Sequence, residues 1–140
     1  MKLHLLLLVI LLCPLSYAAL TCTIGTAECA AGYSNILKLS NTTNAHSEFT
    51  NQSNYPVNLC CTDTNGATLG TAASGLLFIR LSNGTDAHLE LPNGTSYIDA
   101  AYLSTSAGTL ACTYPSTQGA CPSDNACLGT ISADTDAHMA

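Results

Sequence analysis

One motif is written three times in this chain, and a chain that repeats itself has few ways to fold. LSNTTNAHSEF (Leu39 to Phe49) returns 42 positions later as LSNGTDAHLEL (Leu81 to Leu91), and ISADTDAHMA runs from Ile131 to Ala140. The first two copies align without a gap well past the motif: Lys38 falls on Arg80, His46 on His88, Glu48 on Glu90 and Tyr55 on Tyr97. A period of this size indicates one supersecondary unit packed on its like. The third copy lies 92 positions from the first, and at that offset Cys121 falls on Cys29. A larger unit, opened by two cysteines, therefore begins again at Cys112.

Each repeat reads as strands. ILKLS and LLFIRLS alternate, are rich in branched apolar residues, and end at turn formers. AHSEF and AHLEL resume the alternation after a five-residue loop, and YPVNLCC and YIDAAYL supply a third strand. The fold class expected is all-β, a sandwich-like packing of two three-stranded repeats stapled by disulfides. Pairing Ser40 with His46 sets Leu39 opposite Ser47 and Lys38 opposite Glu48. One face of the hairpin then carries Lys38, Ser40, His46 and Glu48, and the other Leu37, Leu39 and Phe49. In the second copy the faces are Arg80, Ser82, His88 and Glu90 against Ile79, Leu81, Leu89 and Leu91.

The repeated histidine admits three readings. His46 with Glu48, and His88 with Glu90, share a strand face at i,i+2 and can serve as metal ligands. On this register, however, each Glu faces Lys38 or Arg80, so a cation already stands where a metal would sit. An exposed cross-strand charge ladder, worth roughly 0.2–1 kcal/mol per pair, is the expectation. In the third reading the ring bonds the turn before it, since Asn44, Asp86 and Asp136 readily form side-chain turns. No catalytic residues are assigned: there is no G-x-S-x-G elbow, and nothing in the spacing of Asp63, Asp99 and Asp124 brings them together. No cofactor is expected.

Residues 1–18 read as a secretory signal, with a short polar start, the apolar run LLLLVILLCPL, and Ser16 and Ala18 before the cleavage point. The run is too short to span a bilayer comfortably, and no second candidate follows. Residues 19–111 form the β domain of two 42-residue repeats, and 112–140 the start of a further, incomplete unit. In that unit Ile131 and Met139 are left uncovered, to be completed by more chain or by strand addition to another subunit. Seven cysteines survive cleavage: Cys22, Cys29, Cys60, Cys61, Cys112, Cys121 and Cys127. In an exported chain they are disulfide formers, and the absence of C-x-x-C argues against a zinc ribbon. Cys60 and Cys61 point to opposite faces of a strand and are expected to bridge to Cys22 and Cys29, in an order left open.

Asn41, Asn51, Asn83 and Asn93 begin N-x-[ST] sequons, in register between the copies, and are candidate glycosylation sites. With only three Lys and Arg against nine Asp and Glu, and a net charge of −6, the chain has no surface for tracking phosphates, so nucleic acid is excluded as a partner. The S-x-x-T-[N/D]-A-H hairpin with flanking cysteines resembles repeats in cysteine-rich exported proteins of uncultivated archaea. The resemblance covers most of the mature chain and implies a secreted or cell-surface setting. The reading that follows is an extracellular structural or adhesive β-repeat module without catalytic activity, with partners among copies of itself or other surface proteins. The alternatives are a secreted metal- or carbohydrate-binding module and, third, a small secreted hydrolase.

Overall fold

The computed structural model describes residues 20–114 and 128–139. The signal sequence, Cys121, Cys127 and Asp124 lie outside the described residues. Eight strands form: β1 (Leu20–Gly25), β2 (Ser34–Leu39), β3 (Ser47–Glu48), β4 (Val57–Asp63), β5 (Leu69–Gly70), β6 (Leu76–Leu81), β7 (Leu89–Glu90) and β8 (Asp99–Thr105). They make two four-stranded antiparallel sheets, ordered β1-β4-β2-β3 and β5-β8-β6-β7. The repeat is visible in the order: each sheet holds one three-stranded copy plus one strand contributed from before it.

The registers follow the alternation of the sequence. Lys38 pairs with Glu48 and Leu39 with Ser47, and the second copy pairs Arg80 with Glu90 and Leu81 with Leu89. A bulge interrupts β2 between Asn35 and Leu37, and another interrupts β6 between Leu77 and Ile79, at equivalent positions of the two copies. A bulge places two consecutive residues against one on the partner strand. It explains why Ile36 with Leu37, and Phe78 with Ile79, are buried side by side where simple alternation would expose one of each pair.

Both sheets share one core, in which Leu37, Leu39, Leu59, Leu81, Leu89 and Leu103 are fully buried. Ser34 Oγ of the first sheet donates to the Leu69 carbonyl of the second (2.7 Å). The N-terminal strand is fastened covalently: Cys22 bridges Cys61 directly across the β1–β4 pair, and Cys29 bridges Cys60. Adjacent cysteines on one strand thus find different partners, as their opposite orientations require. Cys112 has no disulfide partner among the described residues.

The third hairpin is not left open. Met139 is 5% exposed and Ala137 fully buried, both in the shared core, because the segment docks on the other two hairpins of the same chain. The expectation of an uncovered Met139 is corrected by a ring of backbone pairs. Ser47 exchanges both hydrogen bonds with Ala87, Leu89 with Ala137, and Met139 with Ala45, all at 2.8–3.0 Å. The first copy therefore pairs with the second, the second with the third, and the third with the first, around a pseudo-threefold axis. A closed ring removes the strand edges that a half-built hairpin would expose.

At the inward position after the histidine stand Ser47, Leu89 and Met139, all buried. Ser47 Oγ has no hydrogen-bond partner there. A buried hydroxyl without a partner keeps its desolvation cost. Ser47→Ala is expected to stabilise the fold by about 1 kcal/mol in urea unfolding.

Candidate metal centre

The site is built by the same local geometry three times. Ser40, Ser82 and Ser132 each accept the backbone N–H of the histidine six residues on, at 2.9–3.0 Å, while their own N–H groups donate to that histidine's carbonyl. Between them the chain turns through a left-handed residue: Asn44 and Asp86 at φ 49° and Asp136 at φ 51°. Asn and Asp tolerate that conformation better than other residues with a side chain. Next comes an alanine, Ala45, Ala87 or Ala137, each fully buried beside the axis. Only a small residue lets three strands approach one another so closely. The alternation then turns the following side chain outward, and that side chain is the histidine.

Three outward residues around one axis must meet. The ring centroids of His46, His88 and His138 lie 4.6, 4.7 and 4.9 Å apart. One ring nitrogen from each lies within 4.8 Å of the other two. The other contacts run around the ring. His46 Nδ1 is 2.5 Å from Asp86 Oδ1, His138 Nδ1 is 2.5 Å from Asn44 Oδ1, and His88 Nδ1 is hydrogen bonded to Asp136 Oδ1. Each imidazole is held by the turn residue of the neighbouring copy. An oxygen acceptor at Nδ1 selects the tautomer with the proton there, so Nε2 is left with its lone pair.

A second layer holds the acceptors. Tyr55 Oη donates to Asp86 Oδ1 (2.5 Å) and Tyr97 Oη to Asp136 Oδ1 (3.2 Å). The Tyr55 hydrogen bond, then that of His46, holds Asp86 below the usual carboxylate range, and His88, then Tyr97, does the same for Asp136. Such groups contribute their stability in full above about pH 4, the ordinary carboxylate value, and lose it as acid carries the pH down through the lowered one. Burial, and then the bond to Asp86, pushes Tyr55 up to about 12, so its hydroxyl stays a donor. Tyr97 is raised by burial and by Asp136.

Glu48 and Glu90 do not join the histidines, and the charge ladder expected of them is also corrected. Both are buried, at 0% and 1% exposure. Glu48 accepts the Tyr55 N–H (2.9 Å) and the Asn54 amide (3.0 Å), and Glu90 accepts the N–H groups of Ser96 and Tyr97. Burial alone would raise Glu90, but the Tyr97 and Ser96 amides outweigh it and hold its carboxyl below the ordinary value. The cations facing them bind carbonyls of the same loops: Lys38 Nζ donates to Gln52 O (2.7 Å), and Arg80 to Pro92 O and Tyr97 O. The pairing register was legible, but the loop folds back over the charges and takes them up. Through the Tyr55 and Tyr97 N–H groups, these two carboxylates hold the tyrosines that reach Asp86 and Asp136. Glu48→Ala removes the buried acceptor of the Asn54 amide and the Tyr55 N–H, and is expected to cost about 1–3 kcal/mol in chemical denaturation.

Comparison with family models, curated proteins and solved structures finds no match. The site therefore stands on its own geometry. Sequence reasoning placed His46 and His88 as candidate ligands, and the structure brings them together. It missed His138 as the third member and Tyr55 and Tyr97 beside them. Asn44, Asp86 and Asp136 are the turn formers expected of them. Each, however, meets the ring of a neighbouring copy through its side chain, where the turn reading has the ring bond its own loop's backbone. The repetition of these residues in register was the available signal. The candidate glycan acceptors Asn41, Asn51, Asn83 and Asn93 are all exposed. Asn41 and Asn83 also shape their loops by accepting the next residue's N–H at 2.7 Å. Asp63 closes a turn by accepting the Asn65 N–H (2.8 Å), and Asp99 begins β8 opposite Leu81.

Proposed function

We propose that this protein is an extracellular β-repeat module that binds one divalent transition-metal ion at His46, His88 and His138. The observation that carries the reading is the convergence of three imidazoles, one from each copy, with every Nδ1 held by an oxygen acceptor. Carboxylate–histidine pairing of this kind orients metal-binding imidazoles and raises their basicity. Three nitrogens on a tetrahedral zinc at ~2.0–2.1 Å stand about 3.3 Å apart, so the cluster must close by at most about 1.5 Å. All-imidazole ligation suits zinc, copper or nickel and disfavours calcium.

The extracellular setting is supported by the two disulfides, which persist in oxidising surroundings. Among the described residues no helix is long and apolar enough to cross a membrane. A structural role accompanies metal binding, because one ion would join residues 46, 88 and 138 and so tie the copies together. Titration calorimetry of the full chain provides the test. Zinc is expected to bind one ion per chain and calcium none, with His46→Ala and His88→Ala each abolishing the zinc heat. Absence of zinc binding, or binding unchanged in both variants, would refute the reading.

A further inference from the structure

Three ligands do not complete a tetrahedral ion, and the described residues show no fourth. Among the described His, Cys, Asp and Glu side chains, the donors that converge are the three imidazoles alone. Asp86, Asp136 and Asn44 are close, but their Oδ1 atoms already accept from the rings. Glu48 and Glu90 are buried and bound by loop amides. The His46 and His88 side chains are 31% and 32% exposed, so the rings border solvent. An ion held by three protein ligands with the fourth position open takes that ligand from outside the chain.

Charge decides which ligand. Asp86 and Asp136, each with a side chain 75% exposed, bring two negative charges to the site, and Asn44 fills the third acceptor position without one. Those two carboxylates balance a divalent ion bound by neutral imidazoles. The whole chain, those two carboxylates included, carries a net charge of −6, so it stays net negative with a divalent ion bound. An arriving anion therefore finds no net attraction at the site and a repulsive field on the way to it. A neutral nitrogen donor meets neither obstacle, and imidazole suits the same metals as the site itself.

Resting on the metal-binding reading above, we propose that the loaded centre presents an open position selective for a neutral imidazole, and so captures a histidine side chain displayed by another molecule. The module then has an adhesive chemistry: coordination of a partner's histidine by a metal held at the meeting point of the three repeats.

The test uses the full chain loaded with cobalt(II), whose visible absorption reports its ligands. Uptake of one cobalt per chain, lost in His138→Ala, is the first arm and concerns the metal-binding reading; failure there overturns both readings. In the second arm the loaded protein is titrated with imidazole, azide and acetate. One imidazole per cobalt is expected, with half-saturation at about tenfold lower concentration than for either anion. A spectrum indifferent to imidazole, or a site that prefers azide, would overturn the inference while leaving metal binding intact. A peptide with a single histidine should reproduce the imidazole spectrum and its alanine counterpart should not. If only free imidazole binds, capture of a partner is refuted. Asp86→Asn should move the preference toward azide, and an unchanged preference would overturn the role assigned to charge.

Discussion

Zinc should raise the stability of this protein by about 4 kcal/mol when free metal exceeds the dissociation constant a thousandfold. For a domain of this size that corresponds to a rise in Tm of roughly 10–25 °C. The cause is that the three ligands come from positions 46, 88 and 138, and an unfolded chain does not hold these together. The third hairpin makes this specific. Its described contacts with the rest include the backbone pairs at Ala45 and Leu89, the bonds from His88 and Tyr97 to Asp136, and the His138–Asn44 bond. His138→Ala removes the third ligand while leaving both sheets whole. The variant should fold, lose the zinc-dependent rise, and release residues 128–139 to protease first. Thermal melts with and without zinc check each point, and an equal rise in the variant would contradict the account.

Breaking the Cys22–Cys61 bridge is the second large effect. The two residues are 39 positions apart, but with Cys29–Cys60 intact the bridge closes a ring only through residues 22–29 and 60–61, and the lost unfolded-chain entropy stabilises the fold by about 2.5–3 kcal/mol. Cys29–Cys60, at 31 positions, should contribute nearly as much by the same reasoning. The two are separable by packing. Cys61 is fully buried in the core, while Cys60 is 6% exposed and outside the central cluster. The double substitution Cys22→Ala with Cys61→Ala should therefore cost the more of the two in guanidinium unfolding. A loss below about 1 kcal/mol would mean that β1 is not held as described.

Much of the fold was legible because its signals are local. The Lys38–Glu48 and Arg80–Glu90 registers follow from alternation and loop length, and the partners of Cys60 and Cys61 from the orientation of adjacent residues. The bulges at Ile36 and Phe78 were not legible, since an extra apolar residue in an apolar strand leaves no mark in the pattern. The burial of Glu48 and Glu90 depends on how the following loop folds back, and a hairpin considered alone cannot show that. Nor can it show the ring. Alternation turns His46, His88 and His138 outward from their own strands, but their meeting depends on Ser47 finding Ala87 and Leu89 finding Ala137 across long separations. The physical trace was the alanine before each histidine. A residue that small, in the same place three times, marks the close approach of backbones that brings the rings together.

One metal ion is expected to join the three repeats through their histidines. X-ray absorption at the zinc edge of the loaded full chain tests it most directly. Three imidazole nitrogens and one further light atom are expected at about 2.0–2.1 Å, with the imidazole signature reduced by one ring in His138→Ala. Sulfur at about 2.3 Å, or a first shell unchanged when His138 is removed, would contradict it.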